Sequence, residues 1–127
     1  MKIRIKGNSL RIRLTKSEVG ELSDTGYLEE QTLFAGNKTD SYRFACALQR
    51  MENESELSAT LDTNKITMFV PAKLLKDWPE NNVVGFHANM PVAENDVLYL
   101  LLEKDFACLD ETTEDQTDNY VNPNKAC

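Results

Sequence analysis

Lys2-Ile3-Arg4-Ile5-Lys6-Gly7-Asn8-Ser9-Leu10-Arg11-Ile12-Arg13-Leu14 alternates apolar and basic residues on both sides of Gly7-Asn8, with Ser9 the one exception. A period of two is the pattern of a half-buried strand pair. Glycine at the first central position suits a type II′ two-residue turn, which sets Arg4 opposite Arg11 and Lys2 opposite Arg13. One face of this hairpin then carries Ile3, Ile5, Leu10, Ile12 and Leu14. The other carries Lys2, Arg4, Lys6, Arg11 and Arg13. Like charges opposite one another on a ladder are destabilising, so the basic face wants an anion.

Downstream, Thr15-Lys16-Ser17-Glu18 has capping-box spacing, flanked by Leu14 and Val19 as a hydrophobic staple. A short helix to about Ser23 follows, with Gly26 as its stop signal. Tyr27 to Phe34 and Tyr42 to Gln49 read as strands around a loop at residues 35–40, and residues 57–70 read as a second hairpin turning at Thr63-Asn64. Pro71 opens a second helix with Leu74, Leu75 and Trp78 as its apolar stripe, ended by Pro79. Val83 to Ala88 is the next strand, then a loop through Met90-Pro91 to Asp96. Val97 to Leu102 is apolar on both faces, which predicts a central, covered strand.

The pattern repeats with an offset of 56 residues. Leu10, Ile12 and Leu14 fall on Ile66, Met68 and Val70, Val19 and Leu22 fall on Leu75 and Trp78, and Tyr42, Phe44 and Cys46 fall on Leu98, Leu100 and Leu102. The reading is a mainly β domain with two short helices over residues 1–109. It is made of two ββαββ units, residues 1–49 and 57–105, closed as a small barrel or as two β layers. Residues 110–127 form an acidic tail.

The chain has 127 residues, enough for one globular domain, and no apolar run long enough to span a bilayer. Three cysteines without CxxC spacing fit a reducing compartment, so the expectation is a cytoplasmic protein with no membrane contact. Its net charge of −7 disfavours general nucleic-acid binding, yet residues 1–49 are net +2 and residues 50–127 net −9.

Gly7-Asn8-Ser9-Leu10-Arg11-Ile12-Arg13-Leu14-Thr15-Lys16 resembles the first strands of MazE-like antitoxins, and Asn64-Lys65-Ile66-Thr67-Met68-Phe69-Val70-Pro71 resembles the related AbrB segment. That family's fold is a swapped-hairpin barrel of two chains, each ββαββ, so the resemblance implies an internal duplication here. It also implies DNA contact through Arg4, Arg11 and Arg13, and an acidic tail that covers a protein partner. The second half has Thr60, Thr67 and Phe69 at the matching positions, and Thr15 replaces a family proline. A symmetric DNA footprint is therefore lost. The whole chain further resembles a small bacterial family of unknown function.

Three functional readings follow. The first is a non-catalytic binding protein acting through protein contacts, using its basic hairpin or, with a basic partner, the tail residues Asp110, Glu114, Asp115, Asp118 and Tyr120. The second is a DNA-binding regulator or antitoxin using Lys2, Arg4, Lys6, Arg11 and Arg13. The third is a metal-binding protein or enzyme built on His87, Cys108 and the tail carboxylates, although their spacing matches no known signature. His87 stands alone, Cys46 falls in a core phase, and no phosphate loop or nucleophile elbow occurs. No cofactor and no catalysis are expected.

Overall fold

The opening alternation folds as the expected hairpin. Strands β1 (Lys2–Ile5) and β2 (Ser9–Leu14) run antiparallel, with Arg4 opposite Arg11 and Lys2 opposite Arg13. The computed structural model describes residues 1–35, 42–107 and 117–121. Gly7 takes φ 55°, the left-handed turn conformation that glycine adopts without strain. Helix α1 (Lys16–Thr25) starts on the full capping box: Thr15 Oγ1 accepts the Glu18 N–H, and the Glu18 carboxylate accepts the Thr15 N–H at 2.9 Å. Gly26, at φ 79°, ends it.

The remaining strands are β3 (Tyr27–Leu33), β4 (Arg43–Met51), β5 (Ser58–Asp62), β6 (Lys65–Pro71), β7 (Gly85–Ala93) and β8 (Asp96–Lys104). Two short ones follow, β9 (Phe106–Ala107) and β10 (Tyr120–Val121), and α2 (Ala72–Leu75) sits between β6 and β7. They form two four-stranded sheets, β1-β2-β8-β7 and β3-β4-β6-β5, plus a parallel β9·β10 pair. Each large sheet is two antiparallel hairpins joined by a central parallel pair, β2 with β8 and β4 with β6. The chain thus lays down the first sheet's near hairpin, then both hairpins of the second sheet, then returns.

A closed barrel is not formed. Closure would require the edges to join, whereas β1 and β7 remain edges of one sheet and β3 and β5 edges of the other. The layered alternative is what the chain builds, with one core shared by both sheets. Ile12, Leu14, Leu100 and Leu102 from the first sheet and Leu48, Met68 and Val70 from the second are fully buried, together with Leu22 of α1 and Leu75 of α2. Each such side chain contributes about 1.5–3 kcal/mol of burial free energy.

The hairpin registers recur at the 56-residue offset. Lys2 faces Arg13 as Ser58 faces Phe69, and Glu29 faces Ala47 as Gly85 faces Glu103. The parallel pairs differ by two residues: Ser9 faces Tyr99, whereas Lys65 faces Ala45 rather than Arg43.

Several expectations need correction. Helix α2 is one turn and stops at Leu75, so Trp78 lies beyond it. Trp78 is nonetheless completely buried, its Nε1–H donating to the Val83 carbonyl at 2.8 Å and its ring 5.0 Å from that of Phe86. The loop expected from Met90-Pro91 is instead the continuation of β7. Proline fits there because β7 is an edge strand, with an irregularity in register between Pro91 and Ala93. β8 is central, but only its Leu100 and Leu102 face is buried; Val97 and Tyr99 stand 48% and 38% exposed. Ile3 and Ile5 do not join the core: β1 is an edge, and the buried row ends beneath Leu10 and Ile12. Of the tail, Asp110, Glu114 and Asp115 lie outside the described residues, as does Cys108.

Candidate anion-binding face

Strand alternation places the odd residues of β2 and β8 on the outer side of the first sheet, away from the core. Rows across that face read Lys2, Arg13, Glu103, Gly85; then Arg4, Arg11, Leu101, His87; then Ser9, Tyr99, Asn89. The five hairpin cations therefore share a face with the outer residues of β8, brought alongside by the parallel β2·β8 pairing.

Three of the five are ion-paired within the chain, two of them sharing one carboxylate. Glu103 Oε1 accepts from Arg11 Nη2 at 2.5 Å and from Arg13 Nε at 2.7 Å. The Lys2 ammonium lies 3.0 Å from Oδ2 of Asp105, a residue only 5% exposed. These acids belong to the end of β8 and the residue after it. Both acids lie in the net-negative half of the chain, residues 50–127.

Arg4 and Lys6 are different. Among the described residues neither makes an ion pair, and both line an open depression of about 250 Å³ with Ser9, Arg11, Tyr99 and Leu101. Beside it the rings of His87 and Tyr99 stack at 6.2 Å with an interplanar angle of 26°. The depression combines two uncommitted cations, a half-exposed phenol and an aliphatic floor. It can hold an anion attached to an apolar body.

Tyr99 and Leu101 were missed in the sequence, where Val97 to Leu102 reads as core. The available signal was Glu103: it continues the Val97, Tyr99, Leu101 phase, and a carboxylate in that phase marks the phase as outward. His87 is exposed, with Tyr99 as its ring partner.

The outer face of the second sheet shows what the first is not. Thr60, Thr67 and Phe69 occupy the positions matching Arg4, Arg11 and Arg13. Its acid and base are paired: Lys65 Nζ lies 2.7 Å from Glu29 Oε1, and Tyr27 Oη donates to the same oxygen at 2.5 Å. Hydrogen bonds from Lys65, then Tyr27, then Gln31 hold the Glu29 carboxyl down to about 2.

The described part of the tail is engaged by the body of the protein. The Asp118 carboxylate accepts from Ser17 Oγ at 2.5 Å and from the Ser17 N–H at 3.2 Å, adding a second cap to α1. Those contacts, with Thr15 and the Lys16 charge, lower its pKa. The Lys16 N–H donates to the Asp118 carbonyl, and the Tyr120 N–H to that of Asp105. Tyr120 is half-buried, 4.8 Å beneath the Lys104 ammonium, and burial raises its phenol pKa. Cys46 is buried, and burial pushes its thiol up to about 11, so it has little thiolate to react. Among the described residues no three His, Cys, Asp or Glu side chains gather as a metal site, and no helix is long and apolar enough to cross a membrane.

The model of a family of unknown function, DUF7009, matches residues 1–124, and the chain belongs to that family. No curated protein and no solved structure matches it.

Proposed function

We propose that this member of the family is a non-catalytic binding protein that takes an acidic segment of a protein partner on the outer face of the β1-β2-β8-β7 sheet. The observation that carries the reading is the division among the five cations. Lys2, Arg11 and Arg13 are spent on Asp105 and Glu103, while Arg4 and Lys6 face an open depression floored by Tyr99 and Leu101. A pair of cations without an ion pair among the described residues, beside an apolar lining, suits carboxylates carried on a peptide. The net charge of −7 weighs against a long polyanion, which would meet repulsion beyond the hairpin.

The matched hairpin registers support the further reading that the chain is two copies of one ββαββ unit, of which only the first kept a basic face. The second functional reading, a nucleic-acid binder of the kind the AbrB/MazE resemblance implies, draws on one feature. The stacked His87 and Tyr99 rings beside Arg4 and Arg11 offer a platform for an unpaired base.

Fluorescence anisotropy with a labelled polyglutamate short enough to lie within the hairpin face, and a labelled single-stranded oligonucleotide of equal charge, tests both. Polyglutamate is expected to bind more tightly at equal salt. Replacing Arg4 and Lys6 together by alanine is expected to weaken it about tenfold, which is about 1.4 kcal/mol. A preference for the oligonucleotide installs the second reading, and indifference to the double substitution removes the first.

A further inference from the structure

We infer that β1 is a docking edge: a partner's extended segment, with acidic and apolar residues in alternation, adds to the first sheet as a fifth strand beside β1. This rests on the reading that the basic face binds an acidic protein segment, and it supplies the mode of binding and the sequence pattern of the partner.

The backbone shows which groups would receive the strand. The Lys6 N–H donates to the Ser9 carbonyl, so Lys6 and Ser9 form a hydrogen-bonded pair that closes the hairpin. Such pairs alternate along an antiparallel ladder. Arg4 and Lys2 therefore turn their N–H and C=O groups inward to β2, and Ile3 and Ile5 turn theirs outward. No described residue meets the Ile3 or Ile5 backbone. At the corresponding edge of the second sheet, Ala59 (the counterpart of Ile3) points its N–H at Met90 Sδ of β7, 3.3 Å away. One edge is covered by the neighbouring sheet, and the other is open among the described residues.

The side chains on β1 define what fits. Ile3 and Ile5, 36% and 60% exposed, lie on the core side and lack a lateral neighbour. On the opposite side Arg4 and Lys6 lack an acid among the described residues. An incoming strand has the same period of two. Its apolar residues would extend the Ile3-Ile5 row while its alternate residues face Arg4 and Lys6. Acids are the complement there. A second copy of this chain is disfavoured, because antiparallel pairing of two β1 edges would set cation against cation, the usual defence of an exposed edge. Strand addition of this kind draws affinity from main-chain bonds and specificity from alternate side chains.

The test uses the full-length protein and four synthetic peptides: one alternating glutamate and valine, one of equal composition with glutamates and valines in separate blocks, and two alternating ones N-methylated at alternate residues, one in each phase. The alternating peptide is expected to bind at least about tenfold more tightly than the blocked one. N-methylation in one of the two phases should abolish binding, and in the other leave it unchanged, because only one phase turns its N–H to β1. Ile5→Pro, which removes an outward N–H and no β1·β2 bond, should weaken binding by a similar factor. Circular dichroism and the melting temperature establish that this variant is folded, and the N-methyl series needs no protein variant at all.

Equal binding of alternating and blocked peptides, with both N-methyl phases tolerated but Arg4→Ala/Lys6→Ala still harmful, overturns strand addition and leaves the basic-face reading standing. Loss of all dependence on Arg4 and Lys6 overturns both. A concentration-dependent dimer in light scattering that Ile5→Pro dissolves assigns the edge to a second copy and also overturns the inference.

Discussion

The hairpins β1–β2 and β5–β6 share a register and differ in almost everything they present. Lys2, Arg4, Arg11 and Arg13 on the first stand where Ser58, Thr60, Thr67 and Phe69 stand on the second. Inward, Ile12 and Met68 are equivalent and both fully buried. At the edge, Ile3 is 36% exposed while Ala59 is 8% exposed and in contact with Met90. Even the turns differ in chemistry: Gly7 alone has positive φ in the first, whereas Thr63 and Asn64 both do in the second, at 49° and 62°. The inward row and the ladder build the fold, and the outward row is free to vary. That separation lets the two hairpins share one architecture while presenting different outer faces.

The largest effects should strike both halves alike. Ile12→Ala and Met68→Ala each empty a site in the shared core and should each cost about 2–5 kcal/mol. Urea denaturation measures both, and the unfolding should remain a single transition in each variant. Two transitions, or loss of only one sheet's signal, would mean that the halves have separate cores and that the comparison is between two domains.

The next effect belongs to the first half alone. Glu103 holds Arg11 and Arg13, and its counterpart at the same offset is Ala47, which holds nothing. Its side chain is 14% exposed, so Glu103→Gln leaves two partly covered guanidinium groups without a carboxylate. The expected loss is about 1–3 kcal/mol. The same change releases two cations into the basic face. Polyglutamate affinity should therefore rise while stability falls, a pairing of signs that simple damage to the face would not produce.

Local grammar was legible at most turns and caps, though not at Met90-Pro91 or at the end of α2. Gly7-Asn8, Thr15 with Glu18, Gly26 and Thr63-Asn64 all act as turns or caps where the sequence put them. Pairing between distant strands was not legible, because an alternating strand carries no mark of its partner. The β2·β8 contact joins residues about ninety positions apart, and with it came the parts of the face that sequence reasoning missed: Tyr99, Leu101 and the Glu103 clamp. Edge position was equally hidden. Ile3 and Ile5 have the composition of core residues and become exposed because, among the described residues, no strand lies outside β1. The five basic residues were nameable in advance; which two are uncommitted was not.

A smaller effect distinguishes the second sheet's face. The Glu29 carboxyl is held at about 2, below the ordinary 4.5, chiefly by Lys65. A carboxyl depressed on folding contributes its stability above its unfolded pKa. That contribution drains away as pH falls from about 4.5 to about 2. The pair is partly solvent-exposed and screened, so the slope should be shallow. Comparing acid titrations of the native protein and Lys65→Ala reads it: the variant should lose part of the decline in that window. An unchanged acid limb would assign the decline to other carboxylates.

The smallest expected effect on stability is the most informative about the first face. Arg4 and Lys6 touch no acid among the described residues, so replacing both with alanine removes no ion pair and no core contact. Stability should stay within about 0.5 kcal/mol of native, as for ordinary surface changes. It should rise slightly if anything, since Arg4 sits opposite Arg11 on the ladder and like charges there repel. Arg13→Ala in parallel should destabilise, because Arg13 also lies across from a cation, Lys2, but is bound to Glu103. The two substitutions remove cations from one hairpin face, and opposite signs in their melting temperatures would separate the charges that the fold uses from those that it does not.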